Sequence, residues 1–268
     1  MIGTEHMISS PVTSEDMDYK CLALTGSFET SLGLSGCFSG LCGDFDGQGM
    51  SMGVLHWNLG QDSLQPLLKE MLQKHQAITE DIFQENFLVL KEALNATKPM
   101  LMTFVRAIQD PHVHLFHSPW KELFKTLGST PEFQGIQRRH AAALFQSALG
   151  LSKGYGLWSE RAVALMFDIS AQNSGIDNTT HSRILEEFEK LPGTLPDEES
   201  EVRRMRIIAN LRAEASNPRW IEDVRARKLC CANGYGNVHG VDYDLDAHFG
   251  IGLRRVQEII KSGDSHYV

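Results

Sequence analysis

The sequence lacks the features that mark membrane-spanning and conventionally secreted proteins. No apolar run approaches the roughly 18 residues that a spanning helix needs, and the longest, near Pro99–Val105, belongs to an amphipathic segment. Residues 1–18 are polar, without a basic start followed by an apolar core, so they do not form a secretory signal. We expect a flexible N-terminal lead over 1–18, and export that relies on something other than a standard signal.

Cysteine is scarce and irregularly spaced. The five cysteines are Cys21, Cys37, Cys42, Cys230 and Cys231. An odd number that includes an adjacent pair is not typical of a disulfide framework, and no C-x-x-C spacing favours structural zinc. A bridge between Cys37 and Cys42 across a short loop remains open.

Basic residues are fewer than acidic residues. The chain has 25 basic and 34 acidic residues, a net charge of −9, which argues against a nucleic-acid-binding protein. With 268 residues, 42% of them hydrophobic, the chain can bury the core of one large domain, or of one domain with a smaller lobe.

Apolar residues recur at helical spacing along most of the chain. In 63–76 they are Leu64, Leu67, Leu68, Met71 and Leu72. Similar patterns, with Pro and Gly boundaries, predict helices over 17–29, 80–94, 99–109, 119–127, 131–150, 158–173, 179–191, 198–215 and from Pro218 to near Gly234. Strand signals are confined to 36–58 and 237–249. We therefore predict a mainly α (α+β) fold with a small β element.

Two carboxylates with unlike surroundings lie close together in the sequence. Glu29 falls at the predicted end of the first helix, beside Phe28, where the helix dipole and apolar surface both favour the protonated form. Asp46 lies in an open turn bracketed by glycines. Glycosidic bond cleavage needs such a pair, because one acid donates a proton while the other stays ionised. Ser51 could hold a nucleophilic water together with Asp46.

This stretch resembles the lysozyme-like superfamily, and the family 46 chitosanases most closely. Their pattern is a Ser-Phe-Glu-like segment, then Asp-Gly-x-Gly-aromatic-Thr and a Gly-rich strand. The matching residues here are Ser27-Phe28-Glu29, Asp46-Gly47-Gln48-Gly49-Met50-Ser51 and Gly53. The departures are Met50 in place of the aromatic residue and Ser51 in place of threonine.

The resemblance implies a lysozyme-like glycoside hydrolase domain over 19–268, with two lobes around a cleft and the β element beside it. It makes Glu29 the general acid and Asp46 the general base, with Ser51 helping to place water. Such a mechanism inverts the anomeric carbon, with the carboxyl groups roughly 6.5–9.5 Å apart or wider. It requires no cofactor and no metal.

A second, shorter match covers Leu165–Ile169 and Gln172–Gly175. It looks like the family's central helix, whose aspartate forms a buried ion pair. The resemblance gives Asp168 a structural role, with an arginine from 203–227 as its partner.

Polar and aromatic residues around the turn are candidates for binding the glycan. Gln48 lies within the turn, and Asn58 and Gln61 could hydrogen bond N-acetyl or hydroxyl groups, although turn capping explains them as well. Trp57 could stack on a sugar ring or pack in the core.

The C-terminal stretch 217–245 looks like the lysozyme-like domains of phage endolysins and bacterial cell-wall-degrading effectors. It favours peptidoglycan as the substrate, and a protein secreted or delivered to the periplasm, with an inhibitor protein as a possible partner. The negative charge favours chitosan, which is polycationic. A lytic transglycosylase using Glu29 alone, and a non-catalytic cell-wall-binding module, also remain open.

Other chemistries fit the sequence less well. A calcium loop starting at Asp44 requires glutamate at its twelfth position, which is Leu55. Three histidines, His112, His114 and His117, lie in a predicted polar loop with no carboxylate to complete a metal site. A cysteine or serine hydrolase would need a strand–turn–helix elbow, for which there is no signal.

Overall fold

The structure, a computed structural model, describes residues 17–31 and 33–256. Most of the predicted lead, residues 1–16, lies outside them, whereas Met17 and Asp18 already belong to the first helix. The α-helices are α1 (Met17–Thr30), α2 (Gly33–Gly36), α3 (Gln65–Lys74), α4 (Gln76–Phe83), α5 (Phe87–Asn95), α6 (Lys98–Ala107), α7 (Trp120–Ser129), α8 (Pro131–Gly154), α9 (Glu160–Asn173), α10 (Asn178–Glu189), α11 (Asp197–Glu214), α12 (Ile221–Asn233) and α13 (Leu245–Phe249). The predicted mainly helical class is confirmed.

The chain divides into two compact units. The N-terminal unit is Cys21–Ser147, and the described part of the C-terminal unit consists of residues 17–20 and 148–256. Glu29, Asp46 and Ser51 all belong to the N-terminal unit, whereas Asp168 belongs to the C-terminal unit.

The core of the N-terminal unit joins the helices to a small sheet. Because α3 places apolar residues at helical spacing, Leu67, Leu68 and Met71 share one buried face. They belong to a cluster with Met50, Met52, Leu59, Phe83, Phe87, Leu90, Val105, Phe124, Phe133 and Ile136, among others. Strand residues and helix residues therefore share one core.

The helix predicted over 80–94 is in fact two. Helix α4 ends at Phe83, a 3-10 turn covers Gln84–Asn86, and α5 begins at Phe87. Gln84 has a positive φ of 47°, which stops the helix without glycine or proline. Phe83 and Phe87 are both buried in the core on either side of the interruption. The apolar spacing alone is compatible with one continuous helix and therefore does not reveal the break.

The β element of the N-terminal unit is a three-stranded antiparallel sheet of very short strands. Its strands are β1 (Leu41–Cys42), β2 (Ser51–Met52) and β3 (Trp57–Asn58), in the order β1-β2-β3. Ser51 pairs with Cys42 on one side and with Asn58 on the other. The connection from β1 to β2 carries Asp46.

The C-terminal unit is built around α9. Ser159 caps this helix by accepting the Ala162 N–H at 3.1 Å, and Glu160–Ser170 are buried on every face. A hairpin follows α12, with strands β4 (Tyr235–Val238) and β5 (Val241–Asp244). The hairpin predicted over 237–249 therefore begins earlier. Residues 245–249 form α13 instead, because Asp244 caps it by accepting the Ala247 N–H at 3.0 Å.

A buried charge cluster links α9 to α12. Asp168 is fully buried and accepts hydrogen bonds from Arg227, at 2.6 Å, and from Lys228. Burial by itself raises the pKa of Asp168, but the charges and hydrogen bonds of Arg227 and Lys228 lower it by more, to about 2. The arginine lies within the range 203–227 named from the sequence.

Among the described residues, no helix is both long enough and apolar enough to cross a bilayer.

We predict that Asp168→Asn destabilises the protein by about 3–5 kcal/mol at pH 7, because buried Arg227 and Lys228 both lose the carboxylate charge with which they pair. Urea unfolding measures this free energy. Asp197→Asn is the control, because the Asp197 side chain is 84% exposed and its loss should leave the midpoint unchanged.

The pH dependence gives a second readout of the same variant. The folded-state pKa of Asp168 lies below its ordinary value of 3.8, so its stabilisation is complete above that value and is lost as pH falls towards about 2. The stability difference between wild type and Asp168→Asn should shrink as pH falls below about 4. A constant difference would contradict an ionised buried pair.

Candidate functional site

The loop between β1 and β2 is held by a buried aspartate. Asp44 is 5% exposed, and its Oδ1 accepts the N–H of Gly49 at 2.7 Å, which closes the loop on itself. Its Oδ2 lies 3.5 Å from the Nε of Arg106. A buried carboxylate that accepts a backbone N–H forms a strong, charge-assisted bond. Asp44 therefore fixes the conformation of 44–49.

The start of this loop docks onto the segment after α6. The N–H of Asp44 donates to Oε1 of Gln109 at 2.9 Å. A side chain at Gly43 would place its Cβ 2.0 Å from the His114 carbonyl oxygen, so only glycine permits this approach. The loop is thus anchored to residues more than 60 positions away in the sequence.

Asp46 is exposed, in contrast to Asp44. Its Oδ1 accepts the N–H of Gln48 at 3.1 Å, which orients the carboxylate within the turn. The remaining acceptor positions face no donor in the described part of the chain. An exposed, oriented carboxylate with free acceptor positions can take a proton from water.

Ser51 and Asn58 face each other across β2 and β3. The Nδ2 of Asn58 donates to Oγ of Ser51 at 3.0 Å and to the Gly49 carbonyl at 3.2 Å, and its Oδ1 accepts the Gln61 N–H at 3.0 Å. The hydroxyl hydrogen of Ser51 has no acceptor within the described chain, so it remains available to a water molecule.

Asn58 does not fit the predicted contact with substrate. It is 6% exposed, and both ends of its amide are already hydrogen bonded inside the loop. A buried amide in this state orients its neighbours and has little left to offer a ligand.

Gln48 and Gln61 lie side by side at the surface. The Nε2 of Gln61 donates to Oε1 of Gln48, and both side chains are exposed. This contact leaves the Gln48 amino group and the Gln61 carbonyl oxygen without a partner in the described chain. The pair therefore presents one donor and one acceptor to a ligand.

Glu29 lies one residue before the end of α1 and is partly exposed. One turn earlier, a Cβ on Gly26 would be 2.1 Å from a methyl group of Val54, so the helix backbone lies directly against the segment after β2. In the last turn, the Thr30 methyl group packs against Gly40, next to β1. Glu29 therefore belongs to a helix end fixed against the sheet that carries Ser51.

Trp57 is partly buried and packs against the core of the N-terminal unit, close to Gly53. Part of the ring remains accessible, so both interpretations from the sequence, packing and stacking on a sugar, are compatible with its position.

The histidines of 110–117 surround a turn that is organised by Asp110. Its Oδ1 accepts the N–H groups of His112, at 2.8 Å, and Val113, at 2.9 Å, and these bonds lower the pKa of Asp110. The described residues contain no group of three or more His, Cys, Asp or Glu arranged to hold a metal ion.

The cysteines near the loop are not activated nucleophiles. Cys37 and Cys42 are not joined by a disulfide bond. Burial raises the pKa of Cys37 to about 12 and also raises that of Cys42. Because the thiolate is the nucleophilic form, neither suits cysteine catalysis near neutral pH.

Three residues that hold the loop were not assigned this role from the sequence: Asp44, Arg106 and Gln109. The spacing of an aspartate before Asp-Gly-x-Gly is a signal for an Asx-type turn and could have indicated Asp44. Nothing local marks Arg106 or Gln109, because their contacts with the loop are long-range.

Comparisons with known proteins give the fold of the chain. No family model and no curated protein matches it. Among solved structures it is similar to a GH46 chitosanase of Gynuella sunshinyii in complex with chitotetraose, with a TM-score of 0.51 and 12% sequence identity, over 87% of this chain and 98% of that one. The predicted lysozyme-like fold with a small β element is thereby confirmed. The resemblance to phage endolysins stays a prediction.

We predict that Asp44→Ala lowers the free energy of unfolding by about 1–3 kcal/mol, because the Gly49 N–H loses its buried acceptor. Asp44→Asn keeps an acceptor and should cost less. Urea unfolding tests both, with Asp81→Ala as the control, since Asp81 is exposed on α4 and its loss should have no measurable effect. Equal stability of Asp44→Ala and wild type would show that Asp44 does not hold the loop.

Proposed function

We propose that this protein hydrolyses β-1,4 glycosidic bonds of an amino-sugar polymer, with Glu29 as general acid and Asp46 as general base. The observation that carries the proposal is the exposed Asp46 on a loop that buried Asp44 closes and that leads to Ser51, whose hydroxyl hydrogen has no acceptor in the described chain. The fold is similar to that of a chitosanase whose structure contains chitotetraose, which supports the same reaction class.

In this mechanism the two acids have different tasks. Glu29 protonates the glycosidic oxygen as the bond to the leaving sugar breaks. Asp46 removes a proton from a water molecule that attacks the anomeric carbon from the opposite face, and the Ser51 hydroxyl orients that water. Direct attack by water inverts the anomeric configuration.

Asn58 acts on the reaction through Ser51. Its amide donates to the serine oxygen, so the serine hydrogen is directed elsewhere, and its other contacts fix Gly49 and Gln61. We assign Asn58 as a positioning residue, and Gln48 and Gln61 as the polar contacts to the glycan. Trp57 supplies apolar surface beside them.

We favour peptidoglycan over chitosan as the substrate. Gln48 and Gln61 offer a neutral amide donor and acceptor, which complement an acetamido group better than an ammonium group. The nearby Asp62 carboxylate is already paired with Lys98 at 2.8 Å. Chitosan is the second candidate, supported by the net charge of −9 and by the chitosanase neighbour.

A peptidoglycan hydrolase would act in the bacterial cell wall, as a secreted effector or an endolysin, and an inhibitor protein would protect the cell that makes it. Directing the protein to the periplasm of a Gram-negative host tests this role. Lysis should follow with wild type and not with Glu29→Gln, and survival of cells that carry wild-type protein in the periplasm would contradict it.

We predict that Glu29→Gln and Asp46→Asn each lower the release of reducing ends from purified sacculi by about 10²–10⁴-fold, because each removes one proton-transfer group. Glu85→Gln and Asp81→Asn are matched controls on exposed positions of the same unit and should keep full activity. Circular dichroism and the melting temperature establish that the variants are folded.

The contrary outcomes distinguish the alternatives. Full activity of Asp46→Asn together with anhydro-sugar products would indicate a lytic transglycosylase. Full activity of Glu29→Gln would remove Glu29 from its role. Binding of sacculi by folded wild-type protein without any turnover would indicate a non-catalytic module.

We also predict that wild type releases reducing ends faster from sacculi than from chitosan. The double variant Gln48→Glu, Gln61→Glu should shift this preference towards chitosan, because carboxylates attract the ammonium groups of glucosamine. Reducing-end assays on both polymers at equal concentration measure the ratio. Faster cleavage of chitosan by wild type would favour the chitosanase assignment instead.

A further inference from the structure

A polar pocket lies wholly within the C-terminal unit. It has a volume of about 240 Å³ and is lined by Arg161, Gly234, Tyr235, Asp244, Asp246 and Gly252, among others. No step of the proposed reaction uses these residues, and the proposed catalytic residues belong to the other unit. Its lining combines a buried cation, exposed carboxylates and an exposed aromatic ring.

The walls of this pocket are tied together by hydrogen bonds between distant segments. The N–H of Gly252 donates to Oε2 of buried Glu160 at 2.8 Å, and the Gly252 carbonyl accepts the N–H of Arg161 at 3.2 Å. The N–H of Leu245 donates to the Gly234 carbonyl at 2.8 Å. The pocket is therefore built from α9, the junction of α12 with β4, the junction of β5 with α13, and residues 251–253, and hydrogen bonds join these segments.

Among the residues that line the pocket, Arg161 is a buried cation whose hydrogen bonds are incomplete. It is only 8% exposed, and its Nη2 donates to the Ala232 carbonyl, while its Nε has no hydrogen-bond partner. Arg161 forms no ion pair with any carboxylate in the described part of the chain. A buried guanidinium without its full set of acceptors is costly, so a further acceptor from a ligand would be favourable. Because the Nε is itself closed to solvent, such an acceptor would have to meet the outer nitrogens of Arg161 where this side chain lines the pocket.

The opposite wall carries acceptors. Asp246 is paired with Arg254 at 2.9 Å, and Oδ1 of Asp244 caps α13. The second oxygen of Asp244 hydrogen bonds to no described group, and the Asp244 side chain is exposed. The pocket thus offers donors at its base and a carboxylate acceptor at its rim.

An aromatic ring completes the lining. Tyr235 is 66% exposed, which is uncommon for a large ring with no packing role. Aromatic faces bind the C–H faces of ligands through dispersion and burial of apolar surface, while the tyrosine hydroxyl stays in water.

These features select one class of ligand. Two carboxylates disfavour an anion, and Arg161 disfavours a simple cation. A polyhydroxylated ring complements the cation, the carboxylates and the aromatic ring together. Its hydroxyls can accept from Arg161 and donate to Asp244, and its C–H face can pack on Tyr235. The volume lies slightly below the usual range of about 300–1,000 Å³ for drug-sized ligands, which suits a single ring.

We propose that this pocket binds one neutral sugar residue of a glycan, as a holding site that takes no part in bond cleavage. It would increase the residence of the protein on a polymer by adding a second point of attachment. The proposal does not depend on Glu29 or Asp46, and it holds for an active hydrolase and for an inactive binding module.

The test is a titration of the full ¹⁵N-labelled chain with N-acetylglucosamine, followed by amide chemical shifts. We expect saturable shifts at Gly234 and Gly252, with a dissociation constant in the millimolar range that is typical of a weakly held single ring. Tyr235→Ser should weaken binding by about tenfold, because it removes the stacking face. Trp220→Ser is the control, because Trp220 is another exposed aromatic residue of the same unit that lies outside the pocket, and it should leave binding unchanged.

Arg161→Lys tests the base of the pocket while it keeps the positive charge. A lysine cannot reproduce the planar fork of donors, so binding should weaken although the protein stays folded. Melting temperature establishes the fold of this variant, and Asp244→Asn, which keeps the cap of α13, provides a second probe if Arg161→Lys is unstable.

Three results would overturn the proposal. The first is the absence of shifts at Gly234 and Gly252 up to about 50 mM sugar, well above a millimolar dissociation constant. The second is sugar binding that Tyr235→Ser leaves unchanged. The third is a stronger response of the same amides to inorganic phosphate than to the sugar, which would identify an anion site.

Discussion

The hydrogen bond from the Gly49 N–H to the buried Asp44 carboxylate is the constraint on which the candidate site depends. The strands β1 and β2 that flank the loop have only two residues each, so their backbone hydrogen bonds alone do not define the conformation of the loop between them. With the Asp44 bond, and with Gln109 bound to the Asp44 N–H, the loop is closed on itself and attached to the segment after α6. The exposed Asp46 lies on this anchored loop, which leads to Ser51, and the proposed proton transfer requires a base that is held in this way.

Environment separates the roles of the aspartates. Asp44 and Asp168 are buried, and both have structural partners: Asp44 accepts the Gly49 N–H and closes the loop, and Asp168 pairs with Arg227 and Lys228 and joins α9 to α12. Asp46 is exposed and keeps free acceptor positions. The same side chain is structural where its charge is already satisfied and chemically available where it is not.

The sequence predicts those features that depend on local pattern. The first helix with Glu29 near its end, the glycine-bracketed turn and most helix boundaries follow from apolar spacing and from proline and glycine positions. The arginine partner of Asp168 came from the family resemblance. Local sequence patterns do not predict features that depend on tertiary contacts. One is the interruption of the helix at Gln84. Another is the inward orientation of Asn58, whose sequence neighbours are compatible with either turn capping or ligand binding.

The polar pocket of the C-terminal unit illustrates the same limit. Its lining comes from four separate segments, and no spacing in the sequence connects Arg161 with Tyr235 or Asp244. The lack of a partner for the Arg161 Nε becomes visible only when the hydrogen bonds of the folded chain are traced.

The central claim, that Asp46 activates water directly, is tested most directly by the configuration of the newly formed reducing end. Proton NMR on a soluble β-1,4-linked amino-sugar oligomer, recorded before mutarotation, distinguishes the two anomers. Attack by water on a β-linkage predicts the α-anomer as the first product. Initial release of the β-anomer would contradict the account, because it requires a covalent or substrate-assisted intermediate in place of a base-activated water.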